Sequence, residues 1–332
     1  MRALGAITAL LLSAYTAYAI MQFQQSDVTL AAGSATPPAP RGALVSAVSS
    51  APAPSAAPTL APPTSLKTLQ WLKVDDARLD ESSGVCLSKR FGGSLWTHND
   101  SGDTARVFLI EPSGTVRAEV PLQGAENRDW EDIACAKGWV YCADIGDNEA
   151  KHPSLVVYRF KESDVQLDKA DGKRHLCPPV VCEKVTLTYP DGARDAETLL
   201  VRPDGVLMIA SKGFAGSTIY ETPQPFKNGA SMTLRPIGQF VFPADDGWRG
   251  TLATSGDIAP DGKHVALITY KRLYQWTLPA GKDAWQKVWK STPRSYRLPE
   301  LPQTEAVCYA ADGRSWWITS EKSPMSLVQV AP

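Results

Sequence analysis

The stretches RDWED at 128–132 and RDAET at 194–198 share one pattern, and the fold can be worked out from them. In each, an aspartate follows an arginine, and a glutamate stands three residues after that arginine. Both lead directly into a short apolar segment, IAC in the first and LLV in the second. Self-similarity of this kind is typical of repeat architectures, in which equivalent residues occupy equivalent places.

Five segments of the sequence follow this order of features. Each begins with polar or acidic residues, continues through a short apolar strand and a turn containing glycine, and ends in a second apolar strand with a polar exit. Three of the turns read PDG or ADG and favour hairpins, because glycine tolerates a positive φ. The segments are SSGVCLSKRFGGSLWTHND (82–100), RDWEDIACAKGWVYCADIGDN (128–148), RDAETLLVRPDGVLMIASKG (194–213), ATSGDIAPDGKHVALITYKR (253–272) and QTEAVCYAADGRSWWITSEK (303–322).

The spacing of these segments predicts an all-β fold. Their anchor residues are separated by 48, 66, 59 and 49 residues, and each interval holds two more strand patterns and no helical pattern. Four-stranded units that repeat at this period are typical of a β-propeller, so we predict five four-stranded blades. The anchors are Val85, Ile133, Leu199, Ile258 and Val307.

The fifth unit has only three strand patterns, the last of which is SLVQVAP (326–332). We expect LQWLKVD (69–75) to supply its fourth strand, which would close the ring and remove an exposed sheet edge. Two alternatives remain open. A sixth blade could occupy one of the two long intervals, although 162–182 in the first reads better as a surface insertion. A two-sheet sandwich would leave the repeat unexplained.

The composition is that of a globular protein without a strong charge bias. Of the 332 residues, 43% are hydrophobic and 21% are charged, and the formal net charge is −1. A nucleic-acid-binding domain usually carries a strongly basic stripe, so we expect no nucleic-acid partner. The sequence contains no GxSxG, P-loop or HExxH motif and no His/Cys cluster with zinc spacing.

Residues 1–19 are predicted to form a signal peptide, because Arg2 precedes an apolar run and Ala17-Tyr18-Ala19 fits a cleavage site. An uncleaved N-terminal anchor is the alternative, and it would be the chain's sole contact with a membrane. Both predictions place the protein outside the cytoplasm, either secreted or in the periplasm or cell envelope. Residues 20–66 are rich in Ala, Pro and Ser and predict a disordered linker, so the propeller domain is expected at 67–332.

The six cysteines allow disulfides in an exported chain. Three pairings are considered: Cys177 with Cys182 across PPVV, Cys135 with Cys142 across one hairpin, and Cys86 with Cys308 between the first and last blades. The alternative is that some of them are buried free thiols that pack as small hydrophobic groups.

The first strand of each propeller blade lines the central channel, so equivalent residues at its start form a ring at one mouth. Counting two residues back from each anchor gives Ser83, Glu131, Glu197 and Glu305. In the fourth unit that count gives Gly256, whereas alignment on the PDG turn gives Thr254. Three converging carboxylates repel one another, and a hard divalent cation such as Ca²⁺ would relieve that repulsion. The alternative is that the glutamates accept backbone N–H groups of neighbouring blades.

The second strand of each hairpin returns to the same mouth and brings charged residues with it. The cations favour an anionic ligand, and His98, Asp100 and Asp144 are candidates for proton transfer. A structural alternative is that the arginines pair with Asp129 and Asp195 to brace the loops. The predicted anion-binding residues are Arg128, Arg194, Lys212, Lys271 and Lys322.

The series SGV, LWTHNDSGD, DWEDIA, ADIGDN, RDAETL and DIAPDG resembles that of a family of exported bacterial β-propeller proteins over about residues 78–322. The chain is also distantly similar to esterase-like and phytase-like propellers. The set Ser83, Glu131, Glu197, Thr254 and Glu305 resembles the central calcium site of five-bladed calcium-dependent apyrases, although other apyrase signatures are missing from the sequence. This resemblance implies calcium as a cofactor at these positions.

Two functions are therefore expected from different classes. The first is an exported calcium-binding propeller that hydrolyses an anionic ester or phosphoester. The second is a non-enzymatic binding or scaffold propeller of the cell envelope with a structural ion. The expected partner is an anionic small molecule in the first case and an envelope protein in the second, and a monomer is expected in both.

Overall fold

The computed structural model describes residues 60–169, 171 and 175–332, and nearly all regular structure in these residues is β-strand. The strands form five sheets that are arranged as the five blades of a β-propeller, so the predicted fold class is confirmed. The signal peptide or anchor predicted for 1–19 and the linker predicted from 20 through 59 lie outside the described residues.

Blades 1 to 4 each contain four antiparallel strands that follow one another in the chain from the innermost outwards, whereas blade 5 has three strands in this order and takes its outermost strand from the N-terminal side of the domain. Two strands precede the first blade, β1 (Thr64–Ser65) and β2 (Lys67–Val74). Blade 1 contains β3 (Ser82–Leu87), β4 (Leu95–Asn99), β5 (Arg106–Ile110) and β6 (Val116–Gln123). Blade 2 contains β7 (Trp130–Ala136), β8 (Trp139–Asp144), β9 (Leu155–Lys161) and, after the short β10 (Val180–Val181), β11 (Glu183–Thr188).

The remaining three blades repeat this order. Blade 3 contains β12 (Ala196–Val201), β13 (Leu207–Ser211), β14 (Ser217–Glu221) and, after the short β15 (Ser231–Thr233), β16 (Arg235–Phe240). Blade 4 contains β17 (Ala253–Ile258), β18 (His264–Thr269), β19 (Arg272–Thr277), the short helix α1 (Ala284–Val288) and β20 (Arg294–Arg297). Blade 5 contains β21 (Thr304–Tyr309), β22 (Trp316–Ser320) and β23 (Met325–Ala331).

The ring closes through the N-terminal strand, as predicted. Strand β2 pairs antiparallel with β23 and becomes the outer strand of blade 5, with Trp71 opposite Val328 and Leu72 opposite Leu327. The first and last blades are therefore neighbours, and a hydrophobic cluster that includes Val85 of blade 1 and Ala306 of blade 5 lies between them. Closure by the two ends of the domain gives blade 5 its outermost strand and pairs the edge that β23 would otherwise expose.

The two long intervals of the sequence contain edge additions and not a sixth blade, as far as the described residues show. In the first, short 3-10 helices at Glu162–Asp164 and Leu167–Lys169 lead into β10, which pairs parallel with β6 at the edge of blade 1. In the second, β15 pairs parallel with β11 at the edge of blade 2. Where they are described, residues 162–182 are an insertion and not a blade, but Val165, Cys177 and Val180 are buried in the cluster between blades 1 and 2 and do not lie on the surface.

Five hydrophobic clusters fill the spaces between adjacent blades. Successive side chains of a strand point to opposite faces of its sheet, and both faces of a blade are covered by neighbours. On β8, for example, Val140 and Cys142 pack towards blade 1, whereas Tyr141 and Ala143 pack towards blade 3. Burial on both faces explains why these strands read as continuous apolar runs in the sequence.

All three pairings considered for the cysteines are wrong, because the disulfide joins Cys86 to Cys135 with a Cα–Cα distance of 5.7 Å. It links the inner strands of blades 1 and 2, which lie closer together than the sequence alone could show. Cys142 faces Ile133 and not Cys135 across the hairpin. The chain from Cys177 to Cys182 runs extended beside β6, which separates these two thiols, and Cys308 is a buried free thiol. No helix among the described residues is long and apolar enough to cross a membrane.

Candidate functional site

Each inner hairpin carries a β-bulge at the same position, and the extra residue is a member of the predicted ring. The pairing register of the first and second strands skips one residue in all five blades. A bulge of this kind re-aims the side chain that it carries. The skipped residues are Ser83, Glu131, Glu197, Thr254 and Glu305.

The register also decides the alignment of the fourth blade. Thr254 occupies its bulge, so the alignment on the PDG turn is confirmed. The anchor Ile258 was misplaced, because the structural equivalent of Val85 is Gly256, which stands two residues after the bulge. The distance from the bulge to the turn is the same in blades 3, 4 and 5, but the anchor position of blade 4 is a glycine, so the apolar residue Ile258 was taken in its place.

The five bulge residues are all buried at the end of the channel that the inner strands surround. Ser83 donates a hydrogen bond to the backbone oxygen of Glu131 at 2.9 Å and approaches its carboxylate at 3.4 Å. Thr254 donates to the backbone oxygen of Thr304 at 3.4 Å. The two hydroxyl residues therefore lie against neighbouring blades at the level of the three carboxylates.

Burial and mutual repulsion make the three carboxylates reluctant to ionise. Burial, together with the charge of neighbouring acids, raises the pKa of Glu197 to about 8 even though Lys212 opposes the shift. Burial and repulsion by Glu197 raise the pKa of both Glu131 and Glu305 well above the ordinary value. A cation bound here would lower these pKa values and gain binding energy from the fully ionised cluster.

One cation of the protein already contacts the ring. The ammonium group of Lys212 forms an ion pair with Oε1 of Glu197. Burial alone would lower the pKa of Lys212, but Glu197, Tyr270, Asp195 and Glu131 together raise it well above its ordinary value. Lys212 is thus charged, and it neutralises only part of the acidic charge at this mouth.

The alternative prediction was that the glutamates accept backbone N–H groups of neighbouring blades. In the structure, aspartates further along the inner strands accept these groups. Asp132, the residue after the bulge, accepts the backbone N–H of Leu199 at 2.9 Å and that of Ile133 at 2.9 Å. Asp257 accepts the backbone N–H of Tyr309 at 2.8 Å. These aspartates join the inner strands, whereas the carboxylates of Glu131 and Glu197 contact the side chains of Ser83 and Lys212.

A second group of acids adjoins the ring on the side of blades 1 and 2. Carboxylate oxygens of Asp100, Asp129 and Glu131 all lie within 4.8 Å of one another. Burial raises the pKa of Asp100 to about 6, and burial with repulsion by Asp195 raises that of Asp129. Gly146 packs against them, since a Cβ there would lie 2.3 Å from Oε1 of Glu131 and 2.4 Å from Oδ2 of Asp129.

The residues present fit a hard divalent cation. The donors are carboxylate and hydroxyl oxygens without nitrogen or sulfur, which suits Ca²⁺ better than Zn²⁺. The clustered carboxylates are buried and have raised pKa values, so they carry a free-energy cost that a cation would remove. Asp100 was predicted as a proton-transfer residue, and the structure brings it together with the predicted ligand Glu131.

His98 lies apart from these acids. It is fully buried, its Nδ1 lies 2.9 Å from the backbone oxygen of Asn99, and its ring packs edge-on against Trp130. Burial lowers the pKa of His98 to about 4, so the ring is neutral near pH 7. A buried neutral imidazole without access to the mouth is poorly placed for the predicted proton transfer.

The two predicted arginines pair with acids, but not with the acids suggested by the sequence. Nε of Arg128 lies 3.5 Å from Oδ1 of Asp144, and Arg194 forms an ion pair with Asp191 at 2.8 Å. The same oxygen of Asp144 accepts the backbone N–H of Asp129, so Asp144 braces the loop that carries the acidic cluster. Lys271 is half-buried and Lys322 is exposed, and neither forms an ion pair with a described residue.

Two residues of this mouth were missed by the sequence analysis, Trp248 and Arg249. They lie in the loop between β16 and β17, where Trp248 is 56% exposed. The guanidinium of Arg249 lies 5.4 Å from the ring centroid of Trp248 and 5.4 Å from that of Tyr270. The sequence GWRG (247–250) could have indicated these two residues, because it places a tryptophan and an arginine between two glycines in a loop outside the repeat.

No protein-family model and no curated protein matches this sequence. Among solved structures, a gluconolactonase from Xanthomonas campestris is 13% identical, with 82% of this chain and 95% of that chain covered and a TM-score of 0.44. Hydrazine synthase from Kuenenia stuttgartiensis is 14% identical, with 74% and 57% covered and a TM-score of 0.37. These are distant likenesses of fold, and they carry no argument about the activity of this chain.

Proposed function

We propose that the protein is an exported, calcium-dependent hydrolase of anionic esters, including phosphoesters, and that its active site is the acidic mouth of the channel. The observation that supports this proposal is the set of five equivalent bulges, which carry three buried glutamates and two buried hydroxyl residues at the same position of the five inner strands. The disulfide between Cys86 and Cys135 supports export, because such bonds persist mainly outside the cytoplasm.

Ser83, Glu131, Glu197, Thr254 and Glu305 are the proposed calcium ligands, with Asp129 adjoining them. A bound calcium ion would supply Lewis-acid polarisation of an ester oxygen and a lowered pKa for a bound water. Asp100 is the proposed proton acceptor, because its carboxylate lies within 4.8 Å of those of Glu131 and Asp129, beside the proposed ligands.

The substrate's anionic group is assigned to cations that are not already neutralised by an acid. Lys271 meets this condition, whereas Lys212 is paired with Glu197 and is therefore the second, partly neutralised cation of the proposed set. Arg128 and Arg194 are tied to Asp144 and Asp191, so their proposed role is to hold the acidic loops in place. Positioning of this kind keeps the carboxylates close despite their repulsion.

A scaffold with a structural ion is the second candidate, and one observation favours it. Lys212 already pairs with Glu197 inside the ring, so the protein supplies part of the neutralising charge itself. In this case the same calcium would stabilise the fold, and the mouth would bind an envelope protein without turnover.

Hydrolysis assays with the full chain separate these two candidates. We expect calcium-dependent turnover of aryl phosphates or aryl esters, and a loss of roughly a hundredfold or more in Glu131→Gln and Asp100→Asn. Glu111→Gln is the matched control, because Glu111 lies in the turn between β5 and β6, at the other end of the blade. Calcium binding without turnover of any anionic ester would instead support the scaffold.

A further inference from the structure

Aromatic and cationic side chains alternate from the exposed rim of the mouth to the ring. Trp248 lies at the rim, Arg249 lies between Trp248 and Tyr270, and the ammonium of Lys212 lies 5.9 Å from the Tyr270 ring centroid. Lys212 then contacts Glu197 of the ring. We propose that this row is a binding subsite for substrates whose anionic group is joined to a flat aromatic group, with Arg249 holding the anion and Trp248 stacking on the aromatic group.

Arg249 is suited to binding the anion because no described acidic side chain of the protein neutralises its charge. Among the described residues it has no carboxylate within ion-pairing distance and no hydrogen-bonded partner, and it is half-buried. By contrast, Arg272, at the start of β19, is paired with both Asp245 and Asp246 of the loop that carries Arg249. A guanidinium held between two rings is pre-organised and presents its N–H donors in one plane, which matches phosphate or carboxylate oxygens.

Trp248 is suited to a flat group because much of its ring is exposed. It is 56% exposed, in contrast to buried tryptophans such as Trp96 and Trp276, which fill the spaces between blades. Gly247, with a φ of 71°, precedes it and allows the sharp bend that lifts the indole out of the loop. Stacking of an aromatic ligand on such a ring strengthens binding beyond the effect of the area that it buries.

The row is continuous with the acidic site, so a ligand on it would reach the proposed reacting centre. Glu197 and Glu305 both raise the pKa of Tyr270, which shows that the tyrosine lies within electrostatic reach of the ring. A preference for aromatic anionic esters would therefore specify the substrate of the proposed hydrolase. It rests on the proposed function, because that proposal supplies the hydrolysis at the ring. The binding itself requires only the four side chains of the row.

Calorimetric titration of the full chain with phenylphosphonate and with methylphosphonate tests this subsite without hydrolysis. The titrations are made with and without calcium on the wild type, Arg249→Gln, Trp248→Ala and Arg117→Gln. Arg117 is the control, because it is an exposed arginine on β6, outside the mouth. Melting curves of each variant establish that it is folded.

We expect the wild type to bind phenylphosphonate more tightly than methylphosphonate. Trp248→Ala should remove this preference, Arg249→Gln should weaken both ligands roughly tenfold or more, and Arg117→Gln should change neither. Equal binding by the wild type, Arg249→Gln and Trp248→Ala would overturn the inference. The expected binding pattern in a protein that hydrolyses no aryl ester would uphold the subsite and reject the proposed hydrolase.

Discussion

Asp132 accepts the backbone N–H of Leu199 in the neighbouring blade at 2.9 Å, whereas the residue before it, Glu131, turns its carboxylate into the acidic mouth. Two adjacent acids on one strand thus have opposite roles. The bulge at Glu131 separates them, because it changes the direction of one side chain relative to the next.

Substitution of this adjacent pair should therefore have opposite effects on stability. Asp132→Ala should lower the free energy of unfolding by about 3 kcal/mol, since it leaves buried N–H groups without an acceptor. Glu131→Gln should raise stability at pH 8 in EDTA, since folding of the wild type must either protonate this carboxylate or bury its charge in a repelling cluster, and glutamine avoids both costs. Urea unfolding with Glu111→Gln as the control measures both, and equal losses for the two variants would contradict the assignment.

The metal-free protein should lose stability as the pH rises from about 4.5 to about 8. The ring glutamates have folded-state pKa values above those of the unfolded chain, so the folded state binds more protons in this range. Asp100 and Asp257, with pKa values raised to about 6 and about 7, act in the same direction. His98 acts in the opposite direction below about 6.5, because burial lowers its pKa to about 4.

Urea unfolding in EDTA between pH 5 and pH 9 measures this dependence. Glu131→Gln and Glu305→Gln should each flatten the curve, because each removes one group that takes up a proton on folding. Glu111→Gln should leave the curve unchanged. A wild-type stability that increases from pH 6 to pH 8 in EDTA would reverse the sign and reject the raised carboxylate pKa values.

Calcium should stabilise the folded full chain in a concentration-dependent way. At a hundredfold excess over its dissociation constant, a ligand that binds only the folded state adds about 2.7 kcal/mol. The gain should be larger at pH 8 than at pH 6, because protons compete for Glu131, Glu197 and Glu305. Melting temperatures in EDTA, Ca²⁺ and Mg²⁺ test this, and the absence of any cation-dependent shift would remove the central metal site.

Lys212→Gln should tighten calcium binding by roughly tenfold, because it removes a positive charge that contacts Glu197. The same change should weaken the binding of phenylphosphonate, since Lys212 also lies next to Tyr270. Calorimetric titrations measure both effects, and Lys67→Gln is the control, because Lys67 is exposed on the outer strand β2, outside the mouth. Weaker calcium binding in Lys212→Gln would show that the lysine supports the metal site and does not compete with it.

The five ring residues could be found from the sequence repeat, because each bulge lies at the same position of its hairpin. Aligning the five repeats therefore puts these residues in one column. Thr254 was found in this way from its PDG turn, although the apolar anchor of its blade was misplaced. The disulfide could not be predicted from the sequence. Pairing Cys86 with Cys135 requires knowledge of how the inner strands of two blades lie beside each other, whereas the sequence indicates only the pairing within a hairpin. Trp248 and Arg249 were missed because their loop belongs to no repeat.

His98 shows a further limit of the sequence analysis. Its position at the end of β4 placed it correctly near the mouth, but the strand alternation turns its ring onto Trp130, away from the acids. Gly84 on the paired strand makes room for this ring, since a Cβ there would lie 2.6 Å from Nε2 of His98. Whether a residue at the end of a second strand reaches the channel depends on the sheet face to which its side chain points and on the side chains of the neighbouring blade.

Gly146→Ala should damage the acidic cluster selectively. Its new methyl group would lie 2.3 Å from Glu131 and 2.4 Å from Asp129, so it must push these carboxylates apart. We expect calcium affinity to fall by tenfold or more and the unfolding free energy in EDTA to fall by about 1–3 kcal/mol. Gly92→Ala is the matched control, because a Cβ there meets no atom within 4 Å. If both variants bind calcium as the wild type does, Glu131 and Asp129 do not hold the ion together, and the ligands must be sought among the other ring residues.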